Sequence, residues 1–165
     1  MTFKVDDLVV HPQHGIGQVV KLELRQFGSA TEQMYYEISI SDGTIWVQVE
    51  GSSCGLRKVI TKGELDKYRD LLRSRPTPLN KNHRQRQIEL SKRLQQGSFR
   101  ARCEVVRDLS ALGWYKPLGD GNASLLRHAH QTVYEEWAVA EGVSLSEATR
   151  EVEALLQQGK HKYKR

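Results

Sequence analysis

Gln33-Met34-Tyr35-Tyr36-Glu37-Ile38-Ser39-Ile40-Ser41-Asp42-Gly43-Thr44-Ile45-Trp46-Val47-Gln48-Val49 is the stretch whose reading decides the fold of this chain. Met34, Tyr36, Ile38 and Ile40 alternate with Gln33, Tyr35, Glu37 and Ser39, the period of two that marks a half-buried strand. Asp42-Gly43 is a two-residue hairpin signal, because tight hairpin turns need backbone angles that Asp and Gly tolerate. Past the turn, Ile45, Val47 and Val49 alternate with Trp46, Gln48 and Glu50. The reading is two antiparallel strands with Trp46 on the outer face. A slip of one residue would exchange the faces and carry Trp46 into the core.

Upstream, Leu8-Val9-Val10 is a short β-rich run followed by the turn-prone His11-Pro12-Gln13-His14-Gly15-Ile16-Gly17. Pro12 lacks a backbone donor, and Gly15 and Gly17 permit positive φ. Val19 to Leu24 resumes an extended pattern, and Gly28-Ser29-Ala30 reads as a loop. Several short strands with tight turns in about 60 residues imply a small, open or closed antiparallel barrel. His11 and His14 are read as turn residues with a structural role.

Downstream of Ile60 the period lengthens to that of helices. Thr61-Lys62-Gly63-Glu64 fits a capping box, and Leu65, Tyr68 and Leu72 then share one face. Pro76 and Pro78 break that helix. Asn82, with Gln85 three residues on, can cap a second helix whose apolar face is Leu90 and Leu94. Gly97-Ser98 ends it. Phe99, Cys103, Val106 and Leu109 form the stripe of a third. Pro117 to Asn122 reads as a loop, and Trp114-Tyr115 is expected to pack under it. Leu126, Ala129, Val133, Trp137 and Ala140 line a fourth helix stopped by Gly142. Ser144 and Glu147 cap a fifth, carrying Ala148, Val152 and Leu155. The basic tail, 161–165, is expected to fray. The predicted fold class is β followed by α in two domains, residues 1–60 and 61–165, with 61–80 supplying a helix and a Pro-containing linker.

Charge separates the halves. Residues 1–60 carry five Lys/Arg against seven Asp/Glu, a net of −2, and residues 61–165 carry 20 against 13, a net of +7. The excess is densest from Lys81 to Arg107, where Lys81, Arg84, Arg86, Lys92, Arg93, Arg100, Arg102 and Arg107 face only Glu89 and Glu104. A basic helical half next to an acidic strand-rich half suggests one module for nucleic acid and one for a protein partner. No run of about 18 apolar residues exists, and the first residues lack the apolar core of a signal peptide, so the expected location is the cytoplasm. His128 and His130 are two apart, off a common helical face, and make a poor metal pair. No Ser/His/Asp or Cys/His constellation, phosphate-binding glycine loop or paired carboxylate cluster emerges. The expectation is a protein with no enzymatic activity, cofactor or metal, acting as a monomer.

The opening, Phe3-Lys4-Val5-Asp6-Asp7-Leu8-Val9-Val10-His11-Pro12-Gln13-His14-Gly15-Ile16-Gly17-Gln18-Val19, resembles that of the CarD (CdnL) family of bacterial transcription regulators. The module is shared with the transcription-repair coupling factor. Pro78-Leu79-Asn80-Lys81-Asn82 before a basic helix, and Glu104-Val105-Val106-Arg107-Asp108-Leu109, are similar to the second half of CarD. The resemblance implies a Tudor-like, SH3-like domain that binds the RNA polymerase β subunit. It also implies a helical domain that touches promoter DNA at the upstream edge of the melted bubble and stabilises the open complex. Read onto this chain, Arg25 falls where the family carries a polymerase-contacting Arg, and a second such Arg aligns with Gln48. An exposed strand can pair edge-to-edge with a partner strand, and Trp46, Val47, Gln48 and Val49 are the candidate edge. Lys81, His83, Arg84 and Arg86 are the candidate DNA contacts. His83 stands where the family commonly has a Trp that wedges into the minor groove. An imidazole covers less of an unstacked base step than an indole does. The second function class is an adaptor whose barrel and basic helices bind protein and nucleic acid independently of polymerase.

Overall fold

In the computed structural model, residues 2–28, 31–49 and 55–165 are described. They form two compact units that divide between Val59 and Ile60. The first is a five-stranded antiparallel sheet: β1 (Leu8–His11), β2 (Gly15–Arg25), β3 (Gln33–Ile40), β4 (Gly43–Gln48) and β5 (Arg57–Lys58), in the order β4-β3-β2-β1-β5. The second is helical: α1 (Leu65–Leu72), α2 (His83–Gln95), α3 (Phe99–Leu112), α4 (Asp120–Glu141) and α5 (Leu145–Tyr163). The β-then-α reading of the sequence is the fold.

Alternation dictates the sheet. Val9, Val19, Tyr36, Ile38 and Val47 turn inward and are buried with Phe3, whose N–H donates to the Tyr36 hydroxyl at 3.0 Å. Strand β2 is shared: residues 15–18 pair with β1 and 17–25 with β3, so Gly17 and Gln18 are paired on both sides, and the β2–β3 register shifts between Val19 and Lys21. Two local expectations need correction. Ile40 pairs with Gly43, so the β3–β4 turn is made by Ser41 and Asp42, and Gly43, at φ 144°, opens β4. Gly17 is needed for space rather than for φ. A Cβ there would lie 2.5 Å from Ile38 Cγ2, so only glycine lets β2 approach β3 this closely. Positive φ is required at Gly15, at 76°.

Helix boundaries follow their caps. Asn82, Ser98 and Ser144 accept from the N–H groups of Gln85, Ala101 and Glu147 at 3.0, 3.1 and 3.1 Å. Gly142 ends α4 in the left-handed region, at φ 77°. Trp137, Leu65, Leu72, Leu90, Val106, Leu109 and Val152 lie at the centre of the helical core, with Cys103 among them. Arg69 staples three helices: it donates to Asp66 on α1, Glu141 on α4 and Glu151 on α5, and Glu151 also takes the Trp137 indole N–H at 2.9 Å.

Three further expectations change. Helix α4 begins at Asp120, inside the stretch read as a loop. The tail is helical to Tyr163 rather than frayed. Gly159 of α5 faces the Arg73 backbone, and the Arg165 N–H donates to the Tyr115 hydroxyl at 3.1 Å. The Pro76–Pro78 segment is pinned: the Thr77 N–H donates to Asp108 at 2.9 Å, and Arg107 reaches Ser74 and Thr77 hydroxyls at 3.0 and 3.2 Å. Among the described residues no helix is long and apolar enough to cross a membrane. Ser29 and Ala30 of the expected loop, Glu50 of the expected returning strand, and Cys54, the chain's other cysteine besides Cys103, lie outside the described residues.

Candidate functional site

Among the described residues, strand β4 is one edge of the sheet, on the side away from β3. The Val49 N–H donates to the Met34 carbonyl at 3.0 Å, in the same register as Val47 opposite Tyr36 and Ile45 opposite Ile38. In an antiparallel ladder, main-chain groups of successive residues point alternately to opposite sides. Those of Trp46 and Gln48 therefore face away from β3. The same alternation sends Val47, buried, and Val49, half-buried, into the core. Of the four predicted edge residues, Trp46 and Gln48 present both main chain and side chain outward. Val47 and Val49 anchor the strand from beneath.

Arg25 reaches this edge from β2, across β3. Its guanidinium sits 4.5 Å from the Trp46 ring centroid and 5.5 Å from that of Phe27, and donates to Glu23 at 2.9 Å. Glu23 is held below the usual carboxylate range, chiefly by the hydrogen bond from Lys21, whose ammonium lies 3.0 Å away. Phe27 meets Tyr35 edge-on at 4.9 Å, and Gln48 donates to Gln33 at 3.4 Å. The result is a stacked Arg–aromatic patch next to an open strand edge. Trp46 is 37% exposed and Phe27 43%. Sequence reasoning missed Phe27 and Tyr35. The signal was available: Tyr35 shares the outer face of β3, and Phe27 follows Arg25 by two residues, the spacing of one strand face.

The basic helix α2 is lightly anchored, with Leu90 as its only residue buried outright. Its start is rigid. The Asn82 N–H donates to the Asn80 side chain at 2.9 Å, and Arg86 donates to the Asn80 carbonyl at 3.0 Å. The other Arg86 amino group lies 3.1 Å from His83 Nδ1, a contact that uses the imidazole tautomer carrying its proton on Nε2. Lys81, His83 and Arg84 are exposed, and Arg86 is half-buried. These four stand together at the first turn of α2. Two arginines of the basic stretch do not join them. Arg102 is 3% exposed and lies 4.0 Å from the buried Glu136; Arg107 is 9% exposed and donates to Asp108 at 2.9 Å. The side chain of Arg93 also reaches Asp108, at 3.3 Å. Clustering in sequence therefore overstates the cationic face.

The histidines of the β1–β2 turn are structural in geometry. His11 Nδ1 accepts from the N–H groups of Gln13 and His14 at 3.1 and 3.3 Å. Burial, and secondarily the charge of His14, lower the His11 pKa from its ordinary value, which keeps that nitrogen available as an acceptor. Among the described residues no group of three or more His, Cys, Asp or Glu is arranged to hold a metal ion.

The CarD-like/TRCF RID domain matches residues 3–60, and the CarD C-terminal domain matches residues 67–153. The chain belongs to the CarD-like family. It is also similar to "Putative transcription factor YdeB" of Bacillus subtilis (strain 168), at 25% identity over 145 residues that cover 86% of this chain and 94% of that protein. The CarD-like family is one of transcription factors with an RNA-polymerase-interacting domain, and in this chain that domain is the strand-rich unit. The open β4 edge and the Arg25–Trp46 stack both lie within it, and the first turn of α2 lies within the segment matched to the C-terminal domain.

Proposed function

We propose that this CarD-like protein binds the β subunit of RNA polymerase through β4 and its Arg25–Trp46 patch, and contacts promoter DNA with the first turn of α2. It holds the upstream edge of the bubble and stabilises the open complex, without catalysing a reaction, as a monomer in the cytoplasm. The observation that carries the polymerase half is the outward-facing main chain of Trp46 and Gln48. A partner strand can add to it, and the stacked Arg25 supplies a fixed charge alongside. Gln48 offers amide hydrogen bonding where a second Arg would offer charge, so attraction at long range rests on Arg25.

Lys81, Arg84 and Arg86 support the DNA half as phosphate contacts around His83. Arg84 extends to solvent, whereas Arg86 is folded back and orients the imidazole. The test is co-purification of the full chain with the β-subunit lobe, followed by the open-complex lifetime on a promoter after competitor challenge. Retention on the lobe and a longer lifetime are expected. Binding to DNA with no retention on polymerase would move the reading to a polymerase-independent adaptor.

A further inference from the structure

Two clefts adjoin in the helical unit: one extends the basic turn, and the other carries aromatic chemistry that neither the edge nor the turn uses. The first, about 540 Å³, lies between Lys81, His83 and Arg86 on one side and Lys116, Gly119 and Asn122 on the other. Gly119 is the N-cap of α4 and has no side chain to satisfy the first N–H groups of that helix, which carries Asp120 in its first turn. Asn122 is 2% exposed, yet its Oδ1 has no partner, and the buried Arg86 Nε likewise has none. Buried polar atoms are normally bonded, so these two mark a place where a ligand or water completes the structure. A half-turn of the Asn122 amide presents a donor in place of the acceptor. Three cationic side chains, a helix N-terminus and a buried amide favour an anion.

The second cleft, about 410 Å³, shares Leu79 and Leu112 with the first. Its walls are flat and apolar: Pro76, Pro78, Trp114, Tyr115 and Tyr163. Tyr115 does not pack under the following loop as its sequence position suggests; it is 63% exposed. Cations border the rings. Arg75 lies 5.0 Å from the Tyr163 centroid, Lys162 5.3 Å from the same ring, and Lys164 5.5 Å from Tyr115. The one acid lining this cleft, Asp108, is already bonded to Arg93, Arg107 and Thr77.

We infer that the two clefts form one site for single-stranded nucleic acid, with a backbone phosphate in the cationic cleft and an unpaired base stacked in the aromatic one. This rests on the proposed DNA contact at α2 and adds to it the state of the strand. Bases inside a duplex are stacked and cannot enter the second cleft; an unpaired base brings a free π-face to the tyrosines and Trp114. The aromatic surface that His83 lacks is thus supplied one cleft away, by residues from the α3–α4 connection and the end of α5.

The test uses the full chain and a short labelled oligonucleotide, single-stranded or annealed, followed by fluorescence anisotropy at fixed salt. Single strand is expected to bind more tightly than duplex. Tyr115→Ala is expected to weaken single-strand binding roughly five- to a hundredfold and to leave duplex binding unchanged. Tyr115→Phe, which loses the bond to the Arg165 N–H but keeps the ring, should retain single-strand binding; loss in both variants would reveal a purely structural role and overturn the inference. Equal affinity for both strand states, or indifference to Tyr115→Ala, overturns it while leaving the α2 contact standing. Absence of binding to either strand state sinks both. Inorganic phosphate serves as the competitor at matched ionic strength. If it displaces the strand at low millimolar concentration while Tyr115→Ala changes nothing, the first cleft serves a free anion and the nucleic-acid inference fails.

Discussion

Replacing Asp108 by Ala should loosen the attachment of the basic helix α2 and of the Pro76–Pro78 segment together. The carboxylate is fully buried and accepts from three donors: the Thr77 N–H at 2.9 Å, Arg107 Nε at 2.9 Å and Arg93 at 3.3 Å. Hydrogen bonds to a charged group contribute about 1.5–3 kcal/mol each, but three that share one acceptor do not add. The larger effect is what remains behind. Arg107 is 9% exposed and would keep its charge without its principal counter-charge, and stranding one member of a buried pair costs about 3–5 kcal/mol. We therefore expect Asp108→Ala to destabilise the helical unit by about 3–5 kcal/mol. Asp108→Asn preserves one acceptor for Thr77 and should cost about half that, on the order of 2 kcal/mol. Urea unfolding followed by far-ultraviolet circular dichroism is the assay, because the helices dominate that signal. With a slope of about 2 kcal/mol per molar, the Ala midpoint should fall by roughly 2 M at unchanged slope. Arg93→Ala, which removes the α2 contact from a partly exposed position, should cost about 1 kcal/mol or less. A midpoint shift for Asp108→Ala no larger than that of Arg93→Ala would refute the reasoning, since it would mean that Arg107 finds solvent as easily as Arg93 does.

Arg25→Glu should weaken binding to the polymerase β lobe by removing the Trp46 stack and placing a carboxylate beside Glu23; undiminished retention in co-purification would rule Arg25 out of the interface. His83→Trp should lengthen the open-complex lifetime, since stacking on a base contributes about 1–3 kcal/mol and indole covers more of the step than imidazole; a shortened lifetime would show that the Arg86-oriented imidazole makes a specific hydrogen bond instead. The affinity of the full chain for duplex DNA should fall with salt at a log–log slope of roughly −2 to −3, because Arg102 and Arg107 are buried away from phosphates; a slope steeper than about −5 would show that they become exposed. His11 has a folded-state pKa below its unfolded value, so the unfolded chain binds more protons between the two, and the turn's stabilisation is full above the unfolded value and lost as pH falls through the folded one. Amide exchange at Gln13 and His14, corrected for the intrinsic rate, should therefore accelerate as pH falls below the ordinary histidine value; protection that holds steady throughout the acid range would exclude the Nδ1 bonds as its source.

Much of the architecture was legible because it is encoded over a few residues. The alternation from Gln33 to Val49 requires a half-buried hairpin, since side chains of successive strand residues leave on opposite faces. Asn82, Ser144 and Gly142 mark helix ends through bonds and angles formed within four residues of themselves. Trp46 could be placed outward, and α2 recognised as basic, without any knowledge of what packs where. The single-residue shift of the hairpin turn and the early start of α4 are the ordinary price of local rules meeting a fixed register.

What required the tertiary structure was the fate of individual charges and rings. Arg84 and Arg107 are alike in sequence, yet one faces solvent and the other is bonded to Ser74 and Thr77, more than 29 residues away along the chain. Whether an arginine is a phosphate ligand or a buried strut depends on the acceptor brought beside it, and no local pattern carries that information. Arg25 stacks on Trp46 because β3 separates their strands by a fixed spacing, and Tyr115 shares a cleft with Tyr163 because the end of the chain returns to it, the Arg165 N–H donating to the Tyr115 hydroxyl. Period, caps and turn residues determined which elements form and which face of each is apolar. Only the packing of those elements decided which polar side chains remained at the surface, since burial is a property of neighbours in space rather than in sequence.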